Sequence, residues 1–256
     1  MKNIDLFVNK LLNQPISLSE KFHSKTKINE INKKNKPKLI PESWKTVYYK
    51  GYIRLEKVDL PAPKIETQKK IADIFNERKS ERKFSNKSIN KKLISTLIYY
   101  SAGVKELTLK TASRFYPSAG GRYPLETYLI SINTQLGKGI FHYYPKSHYL
   151  ERLSRLSNNL DLKKIFPNND WIIQAPLIII VTALFKRTTI KYGDRGYRNI
   201  LIEAGHMGQN IYLLSSILNL NCCALGGFID DKINFLLDLD GVEESVVYAF
   251  ALGNKI

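Results

Sequence analysis

Three short segments carry side chains whose types and spacing suit chemistry on a small polar ligand. In Arg78-Lys79-Ser80-Glu81-Arg82 the two arginines and the serine recur at every second position, so on an extended chain all three point the same way. Two guanidiniums and a hydroxyl make an anion fork suited to a phosphate monoester, because each guanidinium offers a planar pair of donors matched to phosphate oxygens. A solvated basic face has the same composition, and the segment alone leaves both readings open. In Arg114-Phe115-Tyr116-Pro117-Ser118-Ala119-Gly120-Gly121-Arg122-Tyr123-Pro124 two prolines fix the chain, the glycines let a flat ligand come close to the backbone, and Ser118 adds a polar contact. An ordinary irregular loop would read the same way. In Lys191-Tyr192-Gly193-Asp194-Arg195-Gly196-Tyr197-Arg198 adjacent Lys and Tyr supply two proton-transfer groups. Such a group becomes a base near neutrality when burial beside other cations favours its deprotonated form, and Arg195 and Arg198 are the cations at hand. The alternative is a surface loop leading into a helix.

Other chemistries lack their residues. The glycine-rich loop has no Gly-Lys-Ser/Thr ending and no dinucleotide fingerprint. Cys222 and Cys223 are neighbours, which excludes a disulfide scaffold or a cysteine zinc site and leaves packing as their expected role. His23, His142, His148 and His206 fall at no metal-ligand spacing, so no metal is expected.

The elements that must position these residues read as α+β. A chain of 256 residues, 43% hydrophobic and 11% aromatic, can bury a full core as one large domain with an extension. Residues 1–60 are polar and broken by prolines, and are expected as a basic N-terminal extension, with Leu60-Pro61-Ala62-Pro63-Lys64 as a polyproline-like linker to a domain over 61–256. Helices are expected from Glu66 through Phe75, after a Ser88 cap, over 197–218 and over 230–237. Strands are expected over 126–133, 139–144, 175–184, 222–228 and 245–252. The helix over 197–218 is apolar most of the way round, which predicts burial on several faces. Its Gly205 and Gly208 would leave a groove for another backbone or a flat ligand.

The longest apolar run, Trp171–Phe185, contains Gln174 and Pro176 and is shorter than the roughly 20 residues of a membrane span. The start of the chain has no apolar signal core, so a cytoplasmic protein without a membrane partner is expected. The formal charge is +17, and residues 1–70 hold 16 Lys and Arg against 7 Asp and Glu. The Lys, Asn and Ile richness reads as compositional bias, and nucleic acid is not the expected partner.

Taken in order, these segments resemble the SagB-type dehydrogenases, the FMN-dependent branch of the nitroreductase-like superfamily that oxidises azoline rings in ribosomally made peptides. The resemblance runs through Arg-Lys-Ser-Glu-Arg (78–82), Pro-Ser-Ala-Gly-Gly-Arg-Tyr-Pro-Leu-Glu (117–126), Gly-Ile-Phe-His-Tyr-Tyr-Pro (139–145), Lys-Tyr-Gly-Asp-Arg-Gly-Tyr-Arg (191–198), Glu-Ala-Gly-His-Met-Gly-Gln-Asn (203–210) and Gly-Gly-Phe-Ile-Asp-Asp (226–231) to Ala-Leu-Gly (251–253). Upstream, Phe22-His23-Ser24-Lys25-Thr26 is similar to the family's N-terminal segment.

The resemblance implies a nitroreductase-like fold, a central mostly antiparallel sheet flanked by helices, in an intertwined homodimer with FMN at the interface. Arg78, Ser80 and Arg82 match phosphate and ribityl contacts, and Lys255 matches a terminal basic residue that reaches the phosphate. Pro117, Ser118, Ala119 and Gly120 match a loop supplied across the dimer to the flavin ring. Gly226, between Leu225 and Gly227, matches the place where a backbone N–H meets flavin N5. Lys191 and Tyr192 match the pair associated with proton abstraction. The implied substrate is a modified precursor peptide bearing thiazoline or oxazoline rings, with a cyclodehydratase or synthetase as partner. Two alternatives stand beside it: an NAD(P)H-dependent nitro- or quinone reductase of the same fold, and a non-catalytic docking subunit of a peptide-modifying complex.

Overall fold

The computed structural model describes residues 17–28, 41–45, 48–107, 112–157 and 160–256. The chain divides into two compact units, 1–41 and 42–256. In the first, helix α1 (Leu18–Lys25) is closed by a capping box. The Ser17 hydroxyl accepts the Glu20 N–H and the Glu20 carboxylate accepts the Ser17 N–H, satisfying two donors that a helix start leaves orphaned. The segment Phe22–Thr26 lies on this helix and its cap.

The second unit contains α2 (Glu42–Lys45), β1 (Lys57–Asp59), α3 (Ile71–Glu77), α4 (Lys91–Ala102), β2 (Val104–Leu107), β3 (Ala112–Arg114), β4 (Leu125–Ser131), β5 (Gly139–Tyr144), β6 (Tyr149–Ser154), α5 (Leu162–Ile165), β7 (Leu177–Leu184), α6 (Lys186–Tyr192), α7 (Arg195–Ile217), β8 (Leu220–Leu225), α8 (Asp230–Leu236) and β9 (Glu244–Asn254). Seven strands form one sheet in the order β1-β6-β5-β4-β7-β9-β8, and every neighbouring pair is antiparallel. The expected α+β fold, a large antiparallel sheet flanked by helices, is the fold observed.

The two faces of the sheet bury separate cores. Ile179 and Val181 of β7 face Leu97 and Ile98 of α4 and Ile200, Met207 and Ile211 of α7. Ile178 and Ile180 face Ile165, Phe166, Ile172 and Ile233. A central strand covered on both faces is apolar along most of its length, which accounts for the unbroken Leu-Ile-Ile-Ile-Val run.

Several boundaries differ from the sequence expectation, among them the helix expected from Glu66, which begins at Ile71. The contact division falls at 41/42, and β1, within the stretch expected as an extension, pairs with β6 as the sheet's edge strand. The proline-rich segment lies on α4: Leu60 and Ile65 pack on the core, Ser95 Oγ donates to the Pro61 carbonyl at 2.5 Å, and the Lys64 N–H donates to Thr96 Oγ1. Asn90, not Ser88, caps α4, its Oδ1 accepting the Lys92 N–H at 2.7 Å. Ile89 cannot begin the helix because its backbone bridges Asn133 and Gln135 beyond β4.

Helix α7 is buried along Ile200, Glu203, Ala204, Met207 and Ile211, yet Tyr197, Leu201 and Ile202 are 39%, 43% and 56% exposed within one chain. Gly208 is required by packing, since a Cβ there would stand 2.9 Å from the Phe250 ring, whereas a Cβ on Gly205 meets nothing.

Phe84 fixes the end of the 78–84 segment, its ring lying over Gly253 of β9. A Cβ on Gly253 would come within 2.7 Å of that ring. Gly253→Ala is therefore expected to cost about 1–3 kcal/mol by overpacking. Urea unfolding checks this, and an unchanged midpoint would show that Phe84 does not anchor the segment.

Candidate functional site

The structure places the predicted residues in two regions, one reaching Tyr212 of α7 through Arg78 and Ser80 and the other reaching Glu203 of α7 through Ser118. The first is built on the chain between α3 and Phe84. Glu81 N–H donates to the Cys222 carbonyl, tying the segment to β8, and Arg78 caps α3 through its own N–H to Ile74. Ser80 Oγ lies 2.8 Å from the Tyr212 hydroxyl of α7, which also accepts the Ala224 N–H. The Arg78 guanidinium sits 5.5 Å from the Tyr212 ring centre and that of Arg82 5.9 Å from Trp171. Aromatic faces support both cations.

Among the described residues neither arginine forms an ion pair with a carboxylate. Lys255 adds charge to this end, acting on Glu77, the residue before Arg78. Strand β8 then leads from Cys222 to Gly226, about 13 Å at the usual strand rise. Leu225 is buried in the second core, so its side chain faces protein and only its backbone lies beside the site. Gly226 and Gly227 are exposed, and a Cβ on Gly226 would meet nothing within 4 Å. Two arginines that form no ion pair among the described residues at one end of the strand and an open glycine backbone at the other fit a phosphate-bearing flat cofactor.

The second cluster joins the glycine-rich loop to the Lys-Tyr pair. Gly120 and Gly121 have φ of +63° and +64°, the left-handed region that glycine adopts without strain. This brings the loop so close to α6 that a Cβ on Gly120 would stand 2.5 Å from the Tyr192 hydroxyl and 2.8 Å from Lys191 Nζ. Lys191 and Tyr192 do not lie in the loop expected from the sequence. They form the last turn of α6, where the Gly193 N–H closes on Thr189 and Gly193 reverses the chain at φ +57°. Thr188, Thr189 and Ile190 are poor helix formers, and packing of α6 on α7 overrides that preference. Lys191 Nζ lies 5.6 Å from the Trp44 ring centre and 5.5 Å from that of Tyr192.

Several residues of this cluster were not singled out in the sequence. Arg187, one turn before Lys191, donates to the Tyr123 carbonyl and pairs with Glu126 at 2.6 Å. Arg122 Nε donates to the Arg187 carbonyl and its Nη1 to the Trp44 carbonyl. Glu203 is 2% exposed, and its Oε2 accepts the Ser118 hydroxyl at 2.6 Å. Burial pushes its pKa up to about 7, against the Ser118 hydrogen bond and the Arg114 charge. A signal for Glu203 existed: a carboxylate standing on the buried stripe 200, 203, 204, 207, 211 is out of place unless it serves something.

Cys222 and Cys223 are free and buried, burial pushing the Cys222 thiol up to about 12, in keeping with packing. No metal-ligating group of three or more side chains occurs among the described residues, and no described helix is long and apolar enough to cross a membrane.

Known proteins resemble this chain in sequence and in fold. The sequence profile of the nitroreductase family matches residues 76–254. A Methanocaldococcus jannaschii protein named as a nitroreductase is 29% identical over 201 residues, 78% of this chain and 98% of that one. The microcin B17-processing protein McbC of Escherichia coli is 26% identical over 166 residues, 62% of this chain but only 58% of McbC. Among solved structures, one named as a nitroreductase from Anabaena variabilis superimposes with a TM-score of 0.74 at 23% identity, covering 95% of this chain and 49% of that one. A chain of the E. coli microcin synthetase McbBCD complex with truncated pro-MccB17 bound gives a TM-score of 0.59 at 23% identity, covering 77% of each. At those identities the two structures speak for the fold.

Proposed function

Since the chain belongs to the nitroreductase family, we propose that it is an FMN-dependent dehydrogenase of the SagB type, oxidising thiazoline or oxazoline rings to thiazole or oxazole in a ribosomally made peptide. It works in the cytoplasm as a homodimer beside the synthetase that forms the rings. The observation that carries this reading is the contact of Gly120 with Lys191 and Tyr192, which joins the segment matched to the flavin ring with the segment matched to proton abstraction. The similarity to McbC, a peptide-processing protein, supports the peptide substrate. The exposed Tyr197, Leu201 and Ile202 face beside Gly205 supports a second copy packing on α7.

Arg78, Ser80, Arg82 and Lys255 would hold the FMN phosphate, and Gly226 with the Leu225 and Gly227 backbone would border the ring. Pro117, Ser118, Ala119 and Gly120 would come from the second chain. Glu203 and Tyr212 are nine residues apart on α7, about 13 Å along the axis, so one chain supports the phosphate cluster and the ring loop at separate places. When bound, FMN supplies a two-electron acceptor for hydride. An azoline becomes aromatic by losing a proton from one ring carbon and a hydride from its neighbour, and the chain's own task is the proton. Lys191 Nζ or the Tyr192 phenol oxygen takes it, the other group orienting the acceptor.

The decisive assay gives the protein a cyclised, unoxidised peptide and reads the mass: two hydrogens lost per ring are expected. No loss, together with NAD(P)H-driven reduction of a nitro or quinone compound, would replace this reading by the reductase one. The protein is also expected to purify yellow and dimeric, with about one FMN per chain. A charge-assisted hydrogen bond contributes about 1.5–3 kcal/mol, so Arg78→Ala should weaken FMN at least tenfold by equilibrium dialysis. Colourless protein that takes up no FMN at micromolar concentration would overturn both oxidoreductase readings.

A further inference from the structure

Strain and unmet hydrogen bonding concentrate opposite Lys191 and Tyr192. Tyr123 ends the glycine-rich loop with φ +44°, a left-handed conformation disfavoured for a side chain of its size. Such a residue persists only where its surroundings over-determine it, and here they do. The Tyr123 N–H donates to Ser118 Oγ at 2.8 Å, its carbonyl accepts from Arg187 at 3.2 Å, and its hydroxyl accepts the Arg114 N–H at 3.2 Å. Ser118 Oγ is thus an acceptor for Tyr123 and a donor to Glu203. Glu203 Oε1 is buried with no hydrogen-bond partner among the described residues. A buried carboxylate with one oxygen unpaired costs stability, as its raised pKa reflects. The fold therefore bears two costs in one place, at the loop that meets the Lys-Tyr pair.

We propose that Glu203 is a positioning residue of the site: its carboxyl orients Ser118, and through Ser118 clamps the 117–123 loop in the strained form that sets Gly120 against Lys191 and Tyr192. The clamp works from α7 while Arg187 holds the other end from α6, so the loop is fixed between the two helices. Glu203 touches neither substrate nor cofactor in this role. The inference rests on taking the loop and the Lys-Tyr pair as one site.

The test compares Glu203→Ala, Glu203→Gln, Ser118→Ala and the Glu203→Ala/Ser118→Ala double variant in the full-length protein loaded with FMN. Glutamine keeps an oxygen acceptor for Ser118, whereas alanine removes it. Amide hydrogen exchange reads the clamp without any turnover. Exchange at Tyr123 is expected to quicken at least tenfold in both alanine single variants and to stay within about threefold of wild type in Glu203→Gln. For azoline oxidation, kcat is expected to fall about 10²-fold in each alanine variant with FMN still bound, and glutamine should restore most of it. The double variant should be no worse than either single one, because both remove the same contact.

Losses that multiply in the double variant would overturn the proposal, as would a Glu203→Gln variant as slow as Glu203→Ala. So would a loosened loop that leaves kcat unchanged. If wild type oxidises no azoline, the dehydrogenase reading falls separately, and unchanged exchange at Tyr123 in Glu203→Ala would overturn the clamp. Quickened exchange with glutamine rescue would support it.

Discussion

Lys191→Ala and Tyr192→Phe are each expected to slow ring oxidation by about 10²- to 10⁴-fold, the range for losing a positioned proton-transfer group, while the flavin stays bound. The two effects separate because the proposed phosphate contacts are elsewhere. Arg78, Ser80 and Arg82 are anchored by Tyr212, Trp171 and the Cys222 carbonyl, none of which belongs to α6. At ~1.4 kcal/mol per factor of ten, the loss corresponds to about 3–5 kcal/mol of barrier. Bleaching of the bound flavin by dithionite requires no proton from the substrate, so it should proceed in both variants at the wild-type rate. Single-turnover mixing with a cyclised peptide, followed at the flavin absorbance, measures the chemical step directly. Variants that match wild type there would place the base elsewhere. Variants that lose FMN would mean that the last turn of α6 is structural.

How much of this was legible in the sequence depended on whether a residue's role was local. The β4 and β5 hairpin was, because alternation and the Gly137 turn are local signals: β5 spans 139–144 as expected and Ser131 pairs with Gly139. The glycine loop and the Arg78–Arg82 segment could be proposed as chemistry for the same reason. What was not legible depended on distant chain. The edge strand β1 looks like polar extension until β6 lies beside it, and α6 looks like a loop because Thr188 and Thr189 argue against a helix that packing on α7 nevertheless enforces. The contact between Gly120 and Lys191 joins residues that no periodicity relates, and it had to come from the folded chain.

The same distance hides the buried charge network behind α6, whose disruption should cost more stability than any surface change. The His142 ring is fully buried, with Nδ1 2.8 Å from Glu151 and Nε2 3.1 Å from Glu126. A neutral imidazole can donate from only one nitrogen, so carboxylates at both ends call for the charged ring. Burial opposes that charge, but hydrogen bonds and attraction from Glu126 and Glu151 raise the His142 pKa above its ordinary 6.5. Burial likewise opposes the Glu126 carboxylate, and Arg187, His142 and Arg114 bring its pKa down to about 2. Nearby, Glu244 receives Lys50, Tyr128 and Thr182. Three carboxylates thus face His142, Lys50 and Arg187, with Arg114 also acting on Glu126, a set that is costly to unbalance.

His142→Leu leaves Glu126 and Glu151 facing each other in the interior and should destabilise by about 3–5 kcal/mol, the usual cost of removing one partner of a buried ion pair. The pH dependence gives the sharper test. A raised histidine contributes fully below pH 6.5 and loses its contribution as pH rises through the folded pKa. A depressed glutamate contributes fully above pH 4.5 and loses its contribution as pH falls toward 2. Wild type should therefore exceed His142→Leu most between about pH 4.5 and 6.5, and the gap should narrow in the alkaline direction. Paired urea titrations from acid to alkaline pH measure that difference curve. A gap that stays constant from pH 6 to 10 would show that the ring is not the charged centre of the network. A wider gap at high pH would reverse the assignment. Because Arg187 carries the network into α6 one turn before Lys191, any fall in ring oxidation in His142→Leu should track the loosening of that helix, with the flavin still held at the Arg78 end.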